Sequence, residues 1–79
     1  MGQMLSSDGF KGMMKIVLDF LIAGNELDAG YAARTWNELN VRNKISVLKS
    51  KGWHILDEYR GDDSFKTYWL DMTDPKADV

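Results

Sequence analysis

Cysteine is absent from this chain, and proline and histidine occur once each among 79 residues. Without cysteine there are no disulfide staples and no thiolate metal ligands, which fits a reducing compartment. His54 stands alone, so no second imidazole can complete a zinc site. Long hydrophobic runs are missing too. The longest, Ile16 to Ala23, is broken by Asp19 and is far shorter than the ~20 residues a bilayer span needs. No basic segment precedes an apolar stretch and a small-residue cleavage site, so no secretory leader is expected. There is no glycine-rich phosphate loop, and Ser46 and Ser50 have no base within their motif. Asp57, Glu58, Asp62 and Asp63 lack the ligand spacing of a calcium loop and read as a solvated acidic turn. These absences lead us to expect a protein that is not an enzyme and carries no cofactor or metal.

What is present suffices for one small domain. Hydrophobic residues make up 44%, with three Trp, three Tyr and three Phe, enough for a packed core rather than a disordered tail. The net charge of −2 hides an asymmetry: residues 1–33 carry −2, residues 34–54 carry +4 and residues 55–79 carry −4. The middle segment is a basic patch of the kind nucleic-acid binders show. It is small, so one copy would neutralise few phosphates and bind weakly at physiological salt. A homodimer or a partner is therefore expected if DNA is the target.

The patch lies on the stretch Asn40 to Trp53. Asn40 is a good N-cap residue and Gly52 a good helix stop, with about three turns between them. At ~100° per residue, Val41, Ile45 and Leu48 form one apolar stripe. Asn43, Ser46, Val47 and Ser50 lie opposite, flanked by Arg42 and Lys49 on one side and by Lys44 and Lys51 on the other. Short polar side chains can approach base edges in a major groove while flanking cations reach phosphates. A surface helix with solvated lysines fits the same residues.

In chain order, residues 1–9 read as a flexible lead. A first helix is expected from Phe10 to Ala23, ended by Gly24 and Asn25. Phe10, Met13, Met14, Val17, Phe20 and Leu21 share its face, and Ile16, Leu18 and Ile22 widen the apolar arc. That surplus is either a deeply buried scaffold or a homodimer contact. Leu27 is placed to bridge to a later hairpin, and Asp28 to cap a second helix running to Trp36. In that helix Ala29, Ala32, Ala33 and Trp36 face inward, with Tyr31 and Arg34 pointing outward. Asn37 to Asn40 is a tight turn anchored by Leu39. After Gly52 the apolar period changes to two. Strands are expected over Trp53–Arg60 and Phe65–Met72 around the turn Gly61-Asp62-Asp63-Ser64. Ile55, Leu70 and one of Tyr68 or Trp69 face inward, and Thr73 to Val79 forms a frayed tail.

Alanine-rich helix, short turn and basic amphipathic helix make a helix-turn-helix pattern, and a hairpin after it gives the winged-helix order. The run Lys44-Ile45-Ser46-Val47-Leu48-Lys49-Ser50-Lys51-Gly52-Trp53-His54-Ile55 resembles the "basic-Ile-Ser-x-Leu-basic-x-x-Gly-x-x-Ile" signature of small helix-turn-helix domains of bacteriophages and prophages. Their hairpin ends in an aromatic-x-Leu, like Tyr68-Trp69-Leu70, and the likeness covers roughly Met14 to Met72. The resemblance implies an α+β winged helix-turn-helix domain over residues 10–72. It also implies a regulatory, DNA-binding role in the cytoplasm of a bacterial host, with Lys44, Ser46 and Lys49 on the recognition helix. The expected DNA-binding residues are Arg42, Asn43, Lys44, Ser46, Val47, Lys49, Ser50 and Lys51.

The wing tip departs from a DNA-gripping pattern, because Asp62 and Asp63 would repel phosphates. An alternative on the same scaffold is a phage-type inhibitor or adaptor binding a host protein through Tyr59, Asp62, Asp63, Phe65 and Trp69. RNA binding is the third possibility, and no stacking-sheet motif supports it.

Overall fold

A computed structural model describes residues 5–59 and 66–77. It is a small α+β domain with the order α1 (Gly12–Ile22), β1 (Leu27–Asp28), α2 (Ala29–Trp36), α3 (Val41–Ser50), β2 (Ile55–Tyr59) and β3 (Lys66–Leu70). Among the described residues no helix is long and apolar enough to cross a membrane.

The helix ends follow local chemistry. At the end of α1, Gly24 has φ +91°, its N–H donates to the Leu21 carbonyl, and the Asn25 N–H donates to the Phe20 carbonyl. This pair of bonds satisfies carbonyls that the helix leaves open. The same motif ends α3: Gly52 has φ +100°, its N–H reaches the Lys49 carbonyl, and the Trp53 N–H reaches the Leu48 carbonyl. Asp28 caps α2 as expected, its carboxylate accepting the Tyr31 N–H at 2.7 Å. Asn40 makes no side-chain cap. Glu38 does the work instead, accepting the Asn40 N–H at 2.6 Å and the Lys44 ammonium at 3.0 Å. A carboxylate beside a helix N-terminus also opposes its positive dipole end.

Several expectations need correction. Helix α1 begins at Gly12, not Phe10, because the Phe10 N–H is held by the Ser7 carbonyl in a turn. Residues 5–9 of the expected flexible lead are docked: Leu5 packs on the core, and buried Ser7 donates to Asp19 at 2.5 Å and accepts from Lys15 at 2.7 Å. Leu18 is fully buried, as the scaffold reading of α1 expects, and only Ile16 of the three widening residues is substantially exposed, at 43%. Tyr31 is not outward. It sits 5.1 Å from Phe20 and 5.5 Å edge-on from Trp36, as one of three mutually packed rings. Leu39 anchors nothing and is 84% exposed. Asn37 in the left-handed region reverses the chain, and Glu38 takes the anchoring role that Leu39 was expected to fill.

Among the described residues the sheet has three antiparallel strands in the order β1-β3-β2, one more than the expected hairpin. Leu27 pairs with Tyr68 and Asp28 with Thr67, so the expected Leu27 bridge is present. Between β2 and β3 the register sets Ile55 opposite Leu70, Asp57 opposite Tyr68 and Tyr59 opposite Lys66. Residues opposite one another share a face. The inner face therefore begins apolar at Ile55, Leu70 and Leu27 and becomes polar toward Tyr59 and Lys66. Of the two candidate aromatics for that face, Tyr68 is buried and Trp69 lies on the other side opposite Leu56.

The core joins Val17, Leu18 and Leu21 of α1, Val41, Ile45 and Leu48 of α3, and the inner sheet residues. Trp53 is buried with them, the Lys76 ammonium lying 4.9 Å from its ring centre. The tail expected to fray is paired as far as Ala77. Trp53 bridges Lys76, the His54 N–H donates to the Pro75 carbonyl, and the Ala77 N–H donates to the Gly52 carbonyl. The His54 ring is part of that fastening, with Nδ1 2.7 Å from the Asp74 carbonyl oxygen. The sole histidine thus helps to hold the tail against the start of β2.

Candidate functional site

Helix α3 is held by its apolar stripe. Val41, Ile45 and Leu48 are buried, which fixes the rotation of the helix and turns Arg42, Asn43, Ser46, Ser50 and Lys51 outward. Val47 is half-buried between them. The Ser50 hydroxyl donates back to the Val47 carbonyl at 2.6 Å, so part of its hydrogen-bonding capacity is used within the helix.

The four cations expected beside this face are not equivalent. Lys44 is paired with Glu38 and its side chain is only 25% exposed, so it serves the turn before α3. Lys49 reaches across to the sheet, 2.9 Å from Asp57 of β2. Arg42 and Lys51 are exposed.

The sequence reading missed the other half of the site. Asp57 also lies 3.5 Å from Lys66 of β3, so one carboxylate stands between ammonium groups from a helix and a strand. The Lys49 hydrogen bond is the main cause holding the Asp57 carboxyl below its usual range, with Lys66 adding to it. Between α3 and this end of the sheet lies a cleft of about 220 Å³. Ile45 and Tyr68 line its inner part, and Arg42, Ser46, Lys49 and Lys66 surround it together with Asp57. Burial pushes the Tyr68 hydroxyl up in pKa, which keeps it protonated and able to donate. Three cations against one carboxylate leave the cleft with a formal +2.

A signal for this cleft exists in the sequence. Counting back by twos from inward Leu70 puts Tyr68 and Lys66 on its side of β3. The pairing with Asp57 needs the strand register, which a turn of unknown type leaves open.

Of the residues expected to bind a protein partner, Tyr59 is 62% exposed, with the Lys66 ammonium 5.4 Å from its ring centre. Trp69 is half-buried on the outer face of β3. Asp62, Asp63 and Phe65 lie outside the described residues. Among the described residues no group of three His, Cys, Asp or Glu side chains is placed to hold a metal ion. Asp57 is committed to lysines, and Glu58 alternates to the other face of the strand.

Comparison with protein-family models, curated proteins and solved structures gives no match.

Proposed function

We propose that this is a winged helix-turn-helix protein of the phage or prophage type that binds duplex DNA in a regulatory role, with α3 in the major groove. The carrying observation is the orientation of α3, whose buried stripe leaves Asn43 and Ser46 exposed between Arg42 and Lys51. The element order supports the winged-helix reading, with a short strand before the helix-turn-helix pairing to the hairpin after it. In this reading Asn43 pairs with a base edge, most favourably adenine, and Val47 touches a thymine methyl. Arg42, Lys49 and Lys51 contact phosphates, and Lys44 positions the helix through Glu38. Pairing of two copies through α1, where Ile16 is exposed, would double the modest phosphate count.

The test is a salt-dependent titration of duplex DNA by fluorescence anisotropy, on a sequence selected from a random pool. Arg42→Ala is expected to weaken binding and flatten the salt slope by about one unit. Asn43→Ala is expected to cost about 1–3 kcal/mol on the selected site and little on other sequences. Equal affinity for wild type and both variants would sink the proposal.

One observation favours a second reading, a protein-binding hairpin. Tyr59 and Leu56 are exposed large side chains on β2, next to the acidic turn sequence. Under that reading Tyr59→Ala, or Asp62→Lys with Asp63→Lys, breaks a partner complex and leaves duplex affinity no weaker.

A further inference from the structure

The cleft between α3 and the distal inner face of the sheet has features that a groove-reading helix does not require. Lys66 projects from a strand, not from α3, and buried Tyr68 lines the inner wall. Asp57 draws Lys49 and Lys66 toward one point, at 2.9 and 3.5 Å. A carboxylate between two ammonium groups satisfies them as an external oxyanion would. The arrangement is that of an anion seat in which part of the positive charge is already answered from within the chain.

We propose that this cleft seats a single phosphate group and that Asp57 is its internal competitor. The seat supplies the Lys49 and Lys66 ammonium groups, the Arg42 guanidinium and the hydroxyls of Ser46 and Tyr68. Arg42 suits two non-bridging oxygens, because its planar fork matches their spacing. Asp57 holds the lysines in place when the seat is empty and repels the incoming anion, so affinity is tempered while geometry is preset. The assignment rests on the DNA reading for the source of the phosphate. Arg42 and Ser46 belong both to the exposed face of α3 and to the cleft, so a duplex lying on α3 would bring its backbone over the cleft. Inorganic phosphate offers the same chemistry without a duplex.

The experiment is an amide NMR titration of the full chain with inorganic phosphate at constant ionic strength, followed by duplex titrations at several salt concentrations. Both are repeated for Asp57→Asn and Lys66→Gln, each checked for a folded spectrum. Asp57→Ser replaces Asp57→Asn, and Lys66→Met replaces Lys66→Gln, where the first variant fails the check. Phosphate is expected to move the amides of Ser46, Lys49, Lys66 and Tyr68 most. Asp57→Asn is expected to tighten phosphate and duplex about threefold or more and to steepen the duplex salt slope by about one unit. Loss of the Lys66 charge is expected to weaken both and flatten the slope by about one unit. Phosphate and duplex affinities unchanged by the cleft variants would overturn the proposal. Should duplex binding respond to Asn43→Ala but not to the cleft variants, the seat is wrong and the α3 reading stands. Should phosphate bind and respond to the cleft variants while no duplex binds, the seat stands as a free-phosphate site and the DNA reading falls.

Discussion

The Asp57 carboxylate of β2 lies 2.9 Å from the Lys49 ammonium of α3. Lys44, five residues earlier on the same helix, lies 3.0 Å from Glu38 in the turn that precedes it. Two lysines of one basic helix thus have different duties, one facing the cleft and one fastening the turn.

That division separates two variants. Lys49→Ala is expected to weaken duplex binding and flatten its salt slope by about one unit, at a stability cost below ~1 kcal/mol, because a part-exposed ion pair contributes little. Lys44→Ala is expected to cost a similar small stability but to change duplex affinity less. Urea unfolding beside anisotropy titrations compares them. A larger affinity loss for Lys44→Ala would reverse the assignment.

Gly52 carries the reversal from α3 into the sheet at φ +100°, and a Cβ built there would stand 3.5 Å from the Ala77 Cβ. The space is ordinary contact, so backbone strain is the main cost. Gly52→Ala is expected to destabilise by about 1–2 kcal/mol. The Trp53 fluorescence on urea unfolding reads the change, and a stability equal to wild type would contradict the left-handed stop.

Leu18 and Ile16 are both apolar residues of α1, two positions apart. Leu18→Ala opens a cavity at a fully buried position and is expected to cost about 2–5 kcal/mol. Ile16→Ala, at a 43% exposed position, is expected to cost under ~1 kcal/mol in thermal or urea unfolding. If α1 is the homodimer surface, sedimentation of Ile16→Glu should show a monomer where wild type shows a dimer. Equal costs for the two alanine variants would misplace the core.

Asp19, Glu38, Asp57 and Asp71 are all held below the usual carboxylate range. The main causes are hydrogen bonds from the Ser7 hydroxyl, the Asn40 N–H, the Lys49 ammonium and the Thr73 hydroxyl respectively. A carboxyl that ionises more readily when folded stabilises the fold in full above its unfolded pKa, about 4. That contribution is lost as pH falls through the lower folded values. Urea midpoints are expected to be level from about pH 7 to 5 and to drop below about pH 4. Glu38→Gln is expected to make the drop shallower. A midpoint that rises on acidification would refute the sign.

Much of the fold was legible because local rules decided it. Gly24 and Gly52 stop their helices, Asp28 caps α2, and Val41, Ile45 and Leu48 turn α3 toward the core. These features depend on spacing and on single residues with unusual backbone freedom, which the amino-acid order specifies directly. Leu27 also met Tyr68 in the sheet as its isolated apolar position suggested.

What the linear order could not specify was pairing at a distance. Leu39 and Glu38 are neighbours in one turn, and only the folded turn decided that the carboxylate faces α3 while the leucine faces solvent. The tail pairs because Trp53 and Lys76 meet across the end of the sheet. The cleft exists because register sets Asp57 opposite Tyr68 and packing brings Lys49 to Asp57. Hydrophobic spacing and backbone-specific residues act within a few positions, so the sequence by itself determined where the helices stop and which stripe of α3 is buried. Strand register and ion-pair choice are settled by groups far apart in the chain, and only the tertiary structure decided where its charges converge.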